Sequence, residues 1–314
     1  MIDTALDASV GHDASATDPA TLHRRASAWF ANLVHLIRSE HWDLPTPCDE
    51  WNVRALLNHV TGEALWTAPL MRGATIEQVG DRFDGDVLGG DPAATWDAAA
   101  AEARSAVDEP GALQRITQLS MGDTPATEYV NQLFADHLIH GWDLAQAIGA
   151  DDRMDADLVA ACAAWFDEIE PLYRDAGAIG PRPAVDPGAD AQTMLLARFG
   201  RSATLAALQR FNAAFARRDV DAIMSLMTDD CVFESTDPAP DGRRFEGQGQ
   251  VRQCWVDLFT AASGARFEIE DLFVAGDCAT QRWTYRWDDG YVRGVDVLRL
   301  RVGKVAEKLS YVKG

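Results

Sequence analysis

Apolar residues in the first 200 positions recur every three or four residues, and period-two alternation is nearly absent. Such spacing places apolar side chains on one face of a helix and is typical of amphipathic helices. We therefore predict an all-α helical bundle with long connections over residues 18–200, preceded by a disordered acidic lead-in over residues 1–17. The predicted helices cover residues 20–39, 50–72 (capped by Asp49), 91–107, 125–148, 155–175 and 189–199, and residues 73–90 and 110–124 are predicted to be irregular.

The pattern changes after Gly200, where apolar and polar residues begin to alternate in several segments. Alternation of this kind predicts half-buried strands. The order of elements is two helices, a strand, a third helix and four strands, which predicts a small α+β domain over residues 201–314 with a curved sheet around a helix. The predicted helices cover residues 203–217, 220–227 and 248–262, and the predicted strands cover 231–236, 265–275, 278–288, 291–302 and 304–312.

The formal net charge is −21, and nearly all of it lies in the first 200 residues, which hold 12 basic and 32 acidic side chains. This asymmetry supports two domains and disfavours nucleic acid and anionic membranes as partners. Apolar runs fall far short of the roughly 18 residues that a membrane span needs, and the N-terminus lacks a signal-peptide pattern. Five widely spaced cysteines without a CxxC motif fit a reducing compartment, so we expect a cytoplasmic protein.

Asp136 and His140 are four residues apart on the helix predicted over residues 125–148, so their side chains share one face. A carboxylate and an imidazole at this spacing can hold one divalent metal ion, and His59 on the second helix is the best third ligand. Two imidazoles and a carboxylate suit zinc, iron, nickel or manganese. The alternative is a set of unrelated polar residues. His137 is a rival to His140, but it follows Asp136 directly and points away from it.

Two segments carry a resemblance to a known family. Residues 46–59, TPCDEWNVRALLNH, and residues 136–145, DHLIHGWDLA, resemble the actinobacterial DinB-like metal-binding family, which includes the N-terminal domain of mycothiol-dependent maleylpyruvate isomerase. The resemblance covers about residues 18–200. It implies a four-helix bundle with a divalent metal, often zinc, at its open end, and mycothiol as the thiol cofactor.

The resemblance also implies a ligand set of His, Glu and His, which falls on His59, Asp136 and His140. Aspartate at position 136 is one carbon shorter than the glutamate of the family, but it can still bind a metal ion.

Three further residues near these segments have two interpretations. Glu63 lies one helical turn from His59 and is a candidate general base or hydrogen-bond acceptor for a ligand, or else a solvated carboxylate. Asp143 is expected to pack and cap rather than catalyse. Cys48 has no obvious histidine partner in the sequence and is expected to be structural rather than a nucleophile.

The second domain resembles the SnoaL-like and ketosteroid-isomerase-like group, with the nuclear transport factor 2-like fold, through residues 215–223, 229–234 and 293–297. In ketosteroid isomerase an aspartate base works beside a tyrosine and a protonated aspartate that form an oxyanion hole. The resemblance matches Asp296 to the aspartate of that hole, but the base position holds Ser235 and the tyrosine position holds Phe211.

Glu234 or Asp237 could replace the missing base, or these could be strand-end carboxylates in water. The resemblance further implies a homodimer that pairs through the sheets. A pocket is predicted alongside the alternative of an aromatic core, with the candidate lining residues Trp255, Phe259, Trp283, Tyr285, Trp287 and Tyr311.

The leading hypothesis is a metalloenzyme that activates a low-molecular-weight thiol and acts as an isomerase or S-transferase on a small electrophilic substrate. One alternative places catalysis in the second domain, as a SnoaL-like cyclase, isomerase or hydratase that uses Asp296 with Glu234 or Asp237. Another alternative is a non-catalytic protein that binds a small ligand and contains a structural metal.

Overall fold

Helices predominate before residue 200 in the computed structural model, which describes residues 18–48, 51–261, 264–287 and 290–313. The contacts divide the chain into two units, Met1–Ile169 and Glu170–Gly314. The predicted lead-in over residues 1–17 and the predicted cap Asp49 lie outside the described residues. Before residue 200 the elements are α1 (Pro19–Val34), α2 (Val53–Met71), α3 (Ile76–Val79), α4 (Pro92–Val107), β1 (Ile116–Leu119), β2 (Gly122–Pro125), α5 (Ala126–Ile148), α6 (Ala156–Asp175) and α7 (Ala191–Arg198).

Short polar side chains determine where the main helices begin. Asp18 Oδ2 accepts a hydrogen bond from the backbone N–H of Thr21 at 3.1 Å and caps α1. Asn52 Oδ1 accepts one from the backbone N–H of Ala55 at 2.9 Å. Helix α2 therefore begins at Val53, three residues later than the sequence pattern predicted, because the backbone of Asn52 is extended.

Helices α1, α2, α4 and α5 form a four-helix bundle, in which α1 packs on α5, and α2 packs on both α4 and α5. This arrangement confirms the predicted bundle. Its core is made of apolar side chains from all four helices, including Phe30, Leu57, Trp96 and Leu144. Burial of these side chains stabilises the bundle, because each fully buried side chain of this size contributes roughly 1.5–3 kcal/mol.

The segment 110–124 is not irregular as predicted. It contains a short 3-10 turn at Ala112–Gln114 and then the antiparallel hairpin of β1 and β2, in which Ile116 pairs with Pro125. Thr117 is buried, and its hydroxyl donates to the backbone carbonyl of Thr124 at 3.0 Å. Strands of four residues are too short for alternation to be recognised in the sequence.

The second unit confirms the predicted curved-sheet α+β domain. Its elements after residue 200 are α8 (Ala203–Ala216), α9 (Val220–Ser225), β3 (Met227–Glu234), β4 (Arg244–Glu246), α10 (Gly247–Ala261), β5 (Arg266–Ala275), β6 (Cys278–Trp287), β7 (Gly290–Arg301) and β8 (Lys304–Val312). The sheet order is β4-β3-β8-β7-β6-β5, and only β3 and β8 are parallel. The three-residue strand β4 was not predicted.

The register of this sheet shifts at three places, between β3 and β8, between β5 and β6, and between β7 and β8. Such irregularities bend strands, and the bent sheet packs its inner face against α8 and α10. Phe215 and Trp255 lie in this core, with ring centroids 5.3 Å apart. Among the described residues, no helix is both long and apolar enough to span a membrane.

Gly141 determines how closely α1 approaches α5. A Cβ at this position would lie 2.4 Å from Cζ3 of Trp29 and 2.8 Å from its Cε3, distances that real contacts do not reach. Glycine normally costs about 0.5–1 kcal/mol relative to alanine in a helix interior. We infer that glycine is retained here because the indole of Trp29 occupies the space of a side chain.

Gly141→Ala is expected to destabilise the first unit by about 1–2 kcal/mol, because overpacking against Trp29 outweighs the better helix propensity of alanine. Gly62→Ala in α2 is the matched control, since nothing lies within 4 Å of a Cβ there. The control is expected to stabilise by about 0.5–1 kcal/mol. Urea unfolding measures both changes, and a shift of the same sign in both variants would contradict the close approach.

Candidate metal centre

Helices α2 and α5 bring together the three ligands predicted from the sequence. Nε2 of His59 lies 3.5 Å from Oδ1 of Asp136, and Nε2 of His140 lies 3.4 Å from the same oxygen. The two imidazole rings have centroids 5.2 Å apart and planes at 76°. The donor atoms of all three residues lie within 4.8 Å of one another. We call these residues the His59–Asp136–His140 cluster.

The spacing of the cluster fits a metal ion. Zinc bonds to imidazole nitrogen and carboxylate oxygen are about 2.0–2.2 Å long, so two ligands of a tetrahedral zinc lie about 3.3–3.5 Å apart. The distances from Asp136 Oδ1 to Nε2 of His59 and of His140 both agree with this ligand-to-ligand distance. In addition, Oδ2 of Asp136 is buried and has no hydrogen-bond partner among the described residues. A buried carboxylate oxygen without a partner is costly, and a cation would remove that cost.

The charges in the cluster stabilise one another. Burial alone would raise the pKa of Asp136, but the imidazoles of His140 and His59 outweigh burial and hold that pKa well below its usual range. Burial alone would lower the pKa of His59, but the Asp136 carboxylate outweighs burial and raises it. The cluster thus combines an ionised carboxylate with two imidazoles, a set of ligands in which a metal ion can take the place of protons.

His140 makes a second contact on its other ring nitrogen. Its Nδ1 lies 3.0 Å from Oδ2 of Asp143, a carboxylate with a fully buried side chain. Cys48 lies close to the same pair, because donor atoms of Cys48, His140 and Asp143 are within 4.8 Å of one another. The sequence offered a signal for Asp143, which is three residues after His140 on one helix, but nothing in the sequence placed Cys48 beside it.

Trp51 is a residue of the site that the sequence analysis missed. Its ring centroid lies 4.7 Å from that of His59 and 5.5 Å from that of His140, with planes inclined by 40° and 38°. The indole therefore contacts both imidazoles and limits their exposure to water. Its position in the TPCDEW segment, immediately before α2, was the available signal.

Glu63 lies one turn along α2 from His59 and is half-buried. Burial raises the pKa of Glu63, and the Asp136 carboxylate raises it further, while the imidazoles of His59 and His140 partly offset both effects. Glu63 is therefore electrostatically coupled to the cluster. Its role as a catalytic group stays a prediction.

His137, the rival ligand, lies in the bundle core. Its ring centroid is 5.1 Å from that of His23 and 5.5 Å from that of Trp96, and its side chain is almost fully buried. Burial lowers the pKa of His137 to about 4, so the ring is neutral at physiological pH. Its nitrogens have no hydrogen-bond partner among the described residues. His137 thus faces the core rather than the cluster.

In the second unit, Asp296 is part of a buried ion pair. Its Oδ2 lies 2.8 Å from Nζ of Lys308 and accepts a hydrogen bond of 2.8 Å from the Gln281 amide. Its Oδ1 accepts one of 2.6 Å from the Ser310 hydroxyl. An oxyanion hole of the ketosteroid isomerase type needs a protonated carboxyl that donates a hydrogen bond. The Asp296 carboxylate instead accepts hydrogen bonds on both oxygens.

The structure does not place the two replacement bases beside Asp296. Phe233 of β3 faces the core and lies under the Lys308 ammonium, at 5.2 Å from its ring centroid. Glu234 follows it and points to the opposite face of the strand, where it pairs with Arg244 at 2.7 Å. Asp237 lies beyond the end of β3, and its backbone carbonyl accepts from the Ser235 hydroxyl at 2.8 Å.

The predicted aromatic pocket is also divided. Trp255 and Trp283 are buried in the core, whereas Trp287 and Tyr311 are about half exposed. Trp283, Tyr285 and Trp287 alternate along β6 and therefore share one face of the sheet, with the rings of Tyr285 and Trp287 6.1 Å apart, whereas Tyr311 lies on β8. The alternative of an aromatic core therefore describes Trp255 and Trp283.

Lys308→Met is expected to destabilise the second unit by about 3–5 kcal/mol, because the Asp296 carboxylate would remain buried without its cation. Combining it with Asp296→Asn removes both charges and is expected to recover most of the loss. Amide hydrogen exchange in β7 and β8 measures the second unit separately. Equal losses in the single and double variants would show that the ion pair does not control this stability.

Comparison with known proteins identifies both parts of the chain. Residues 23–145 match the mycothiol maleylpyruvate isomerase N-terminal domain, and residues 208–308 match the SnoaL-like domain. An uncharacterized protein of Mycobacterium tuberculosis is 33% identical over 165 residues, which cover 51% of this chain and 84% of the relative.

Two solved structures are similar to parts of the chain. An NTF2-like protein of unknown function from Mesorhizobium loti is 43% identical, covers 36% of this chain and 92% of its own, and has a TM-score of 0.34. An NTF2-like protein of unknown function from Burkholderia xenovorans is 20% identical, covers 35% and 83%, and has a TM-score of 0.31. From the family matches and the mycobacterial relative, the chain belongs to the mycothiol maleylpyruvate isomerase N-terminal domain family, and it joins that domain to a SnoaL-like domain.

Proposed function

We propose that the protein is a metal-dependent isomerase or S-transferase that uses a low-molecular-weight thiol, of the mycothiol type, on a small electrophilic substrate. The observation that carries the proposal is the His59–Asp136–His140 cluster, with ligand separations of 3.4 and 3.5 Å and an unpartnered buried carboxylate oxygen. The family supports an isomerase-type enzyme and associates it with mycothiol. The zinc, the thiol and the substrate are parts of the proposal.

His59, Asp136 and His140 would hold the metal through two neutral imidazoles and one carboxylate. Three protein ligands are the usual set in catalytic zinc sites, which keep a position for water or substrate. A divalent metal bound there would lower the pKa of a coordinating thiol and so supply a thiolate at neutral pH. Trp51 packs on both imidazoles and would help to hold them in position.

The thiol held by the metal on His59, Asp136 and His140 would supply a sulfur nucleophile. In an isomerase this would allow reversible addition to an activated carbon–carbon double bond, with rotation before elimination. In an S-transferase it would allow displacement of a leaving group, which would depart with its electron pair. Glu63 would exchange protons in either reaction; burial and the Asp136 carboxylate raise the pKa of Glu63, which supports this role.

Three other expectations stay predictions. A homodimer would use the outer face of the sheet, where Val297 and Tyr311 are exposed to 41% and 55%. A cytoplasmic location fits a thiol cofactor. Catalysis by the SnoaL-like domain is not favoured by the geometry, because Asp296 is held in an ion pair with Lys308.

The first test is the metal content of untagged protein, measured by mass spectrometry. About one zinc or similar ion per chain is expected in the wild type, and its loss is expected in His140→Ala, which removes one of three ligands. His35→Ala is the matched control, because His35 is exposed and pairs with the exposed Asp97 at 3.2 Å, away from the cluster residues. Wild-type protein without metal, after purification in zinc-containing buffer, would refute the proposal.

Glu63→Gln tests the proton transfer. The variant is expected to keep its metal but to lose turnover by roughly 10²- to 10⁴-fold, because the amide cannot exchange a proton. If Glu63 acts as a base, wild-type kcat rises with pH as Glu63 deprotonates, and this dependence disappears in the variant. The assay supplies mycothiol with a cis-unsaturated keto acid or an alkyl halide. Glu77→Gln, on the exposed surface, is the control, and an unchanged kcat in Glu63→Gln would exclude the role.

A further inference from the structure

We propose that Asp143 is a positioning residue that holds His140 in the tautomer whose Nε2 lone pair faces the metal position. The inference rests on the proposed metal site. It gives a specific role to the buried carboxylate of Asp143, which the sequence predicted to pack and cap.

The two nitrogens of His140 have different surroundings. Nδ1 lies 3.0 Å from Oδ2 of Asp143, and Nε2 lies 3.4 Å from Oδ1 of Asp136. A neutral imidazole carries one N–H and one lone pair. When Nδ1–H donates to Asp143, Nε2 must present its lone pair toward Asp136. A metal ligand requires that lone pair, and carboxylates that accept from the other ring nitrogen recur behind metal-binding histidines.

Burial separates the roles of the two carboxylates. Asp136 keeps 25% of its side chain exposed, whereas Asp143 has none exposed. Asp136 is therefore the carboxylate that an incoming ion can reach. Asp143 is enclosed in the bundle, where a hydrogen bond from the imidazole is stronger than in water. Both carboxylates lie on α5, with Asp136 four residues before His140 and Asp143 three residues after it. One helix therefore holds the imidazole ring of His140 from two sides.

Cys48 provides the competing interpretation. A metal held by Cys48, His140 and Asp143 would make Asp143 a ligand rather than a positioning residue, since these donors also lie within 4.8 Å of one another. Cobalt(II) substitution separates the two arrangements, because a thiolate ligand adds a sulfur-to-metal charge-transfer band. We expect no such band from the protein alone, and the same spectrum from Cys48→Ser. A band that Cys48→Ser abolishes would overturn the proposal.

Zinc affinity is the main measurement, by competition with a chromophoric chelator. Asp143→Ala is expected to weaken zinc binding by roughly 10- to 100-fold, the usual effect of losing such a partner. Asp143→Asn keeps an acceptor oxygen for Nδ1–H and is expected to lose less. Asp97→Ala is the matched control, because Asp97 also pairs with a histidine, His35, but on the surface. Unchanged affinity in a folded Asp143→Ala protein would overturn the proposal.

The tautomer of His140 is measured separately, by nitrogen-15 NMR on metal-free wild-type protein at a pH where the ring is neutral. We expect the proton on Nδ1, and a proton on Nε2 would overturn the proposal even if Asp143→Ala does not fold. If Asp143 only stabilised the fold, Asp143→Ala would lower the stability of the protein, but His140 of the wild type would show no preference for the proton on Nδ1. If the wild type has the Nδ1–H tautomer but binds no zinc, the metal function fails while the positioning of His140 by Asp143 is still observed.

Discussion

The carboxylate of Asp136, whose side chain is 25% exposed and whose Oδ2 is buried, is the constraint on which the first unit depends. Removing an ionised carboxylate from water costs several kcal/mol, and only close positive partners offset that cost. The imidazoles of His59 and His140 lie 3.5 and 3.4 Å from Oδ1, but Oδ2 has no partner among the described residues. Helix α2 must therefore pack on α5 in a register that brings His59 to this carboxylate, because His140 already shares α5 with Asp136. A divalent cation would complete the charge balance of the carboxylate.

The segment from His140 to Asp143 shows how few residues are needed to build this site. His140 presents one nitrogen to Asp136 and the other to Asp143. Gly141, between them, leaves space for Trp29, so that α1 can pack closely on α5. Core packing and site geometry are thus encoded in consecutive positions of one helix. A change at Gly141 would move the helix that holds His140, although glycine has no chemistry of its own.

Helical spacing explains how much of this site the sequence could predict. Residues three or four apart on one helix must be neighbours, so Asp136 and His140 could be paired from the sequence, and the resemblance supplied His59. The same rule makes Asp143, three residues after His140, a neighbour of its ring. Asp143 was nevertheless expected to be a packing and capping residue. Trp51 and Cys48 precede α2, and only tertiary packing brings them to α5. Nothing local in the sequence specifies such contacts.

In the second unit, the fold could be predicted from the sequence but the role of the matched site residue could not. Its fold followed from alternating strands, but the three-residue strand β4 has too few residues for a period to be seen, as does the β1–β2 hairpin of the first unit. Resemblance matched Asp296 to a catalytic carboxyl, yet Lys308, on the next strand, lies 2.8 Å from it and makes it one half of an ion pair. Lys308 stands among apolar core residues, where a lysine is rarely buried without a partner.

Asp136 and Asp296 therefore differ in a way that bears on the proposed function. Both oxygens of Asp296 accept hydrogen bonds, and its charge is balanced by Lys308 within the chain. Within the described part of the chain, Oδ2 of Asp136 has no hydrogen-bond partner, and Oδ1 lies near imidazoles, the commonest metal ligands in proteins. A fully satisfied carboxylate stabilises a fold, whereas an incompletely satisfied one retains affinity for a ligand. This contrast, rather than the family match alone, is the physical reason for placing the chemistry in the helical domain.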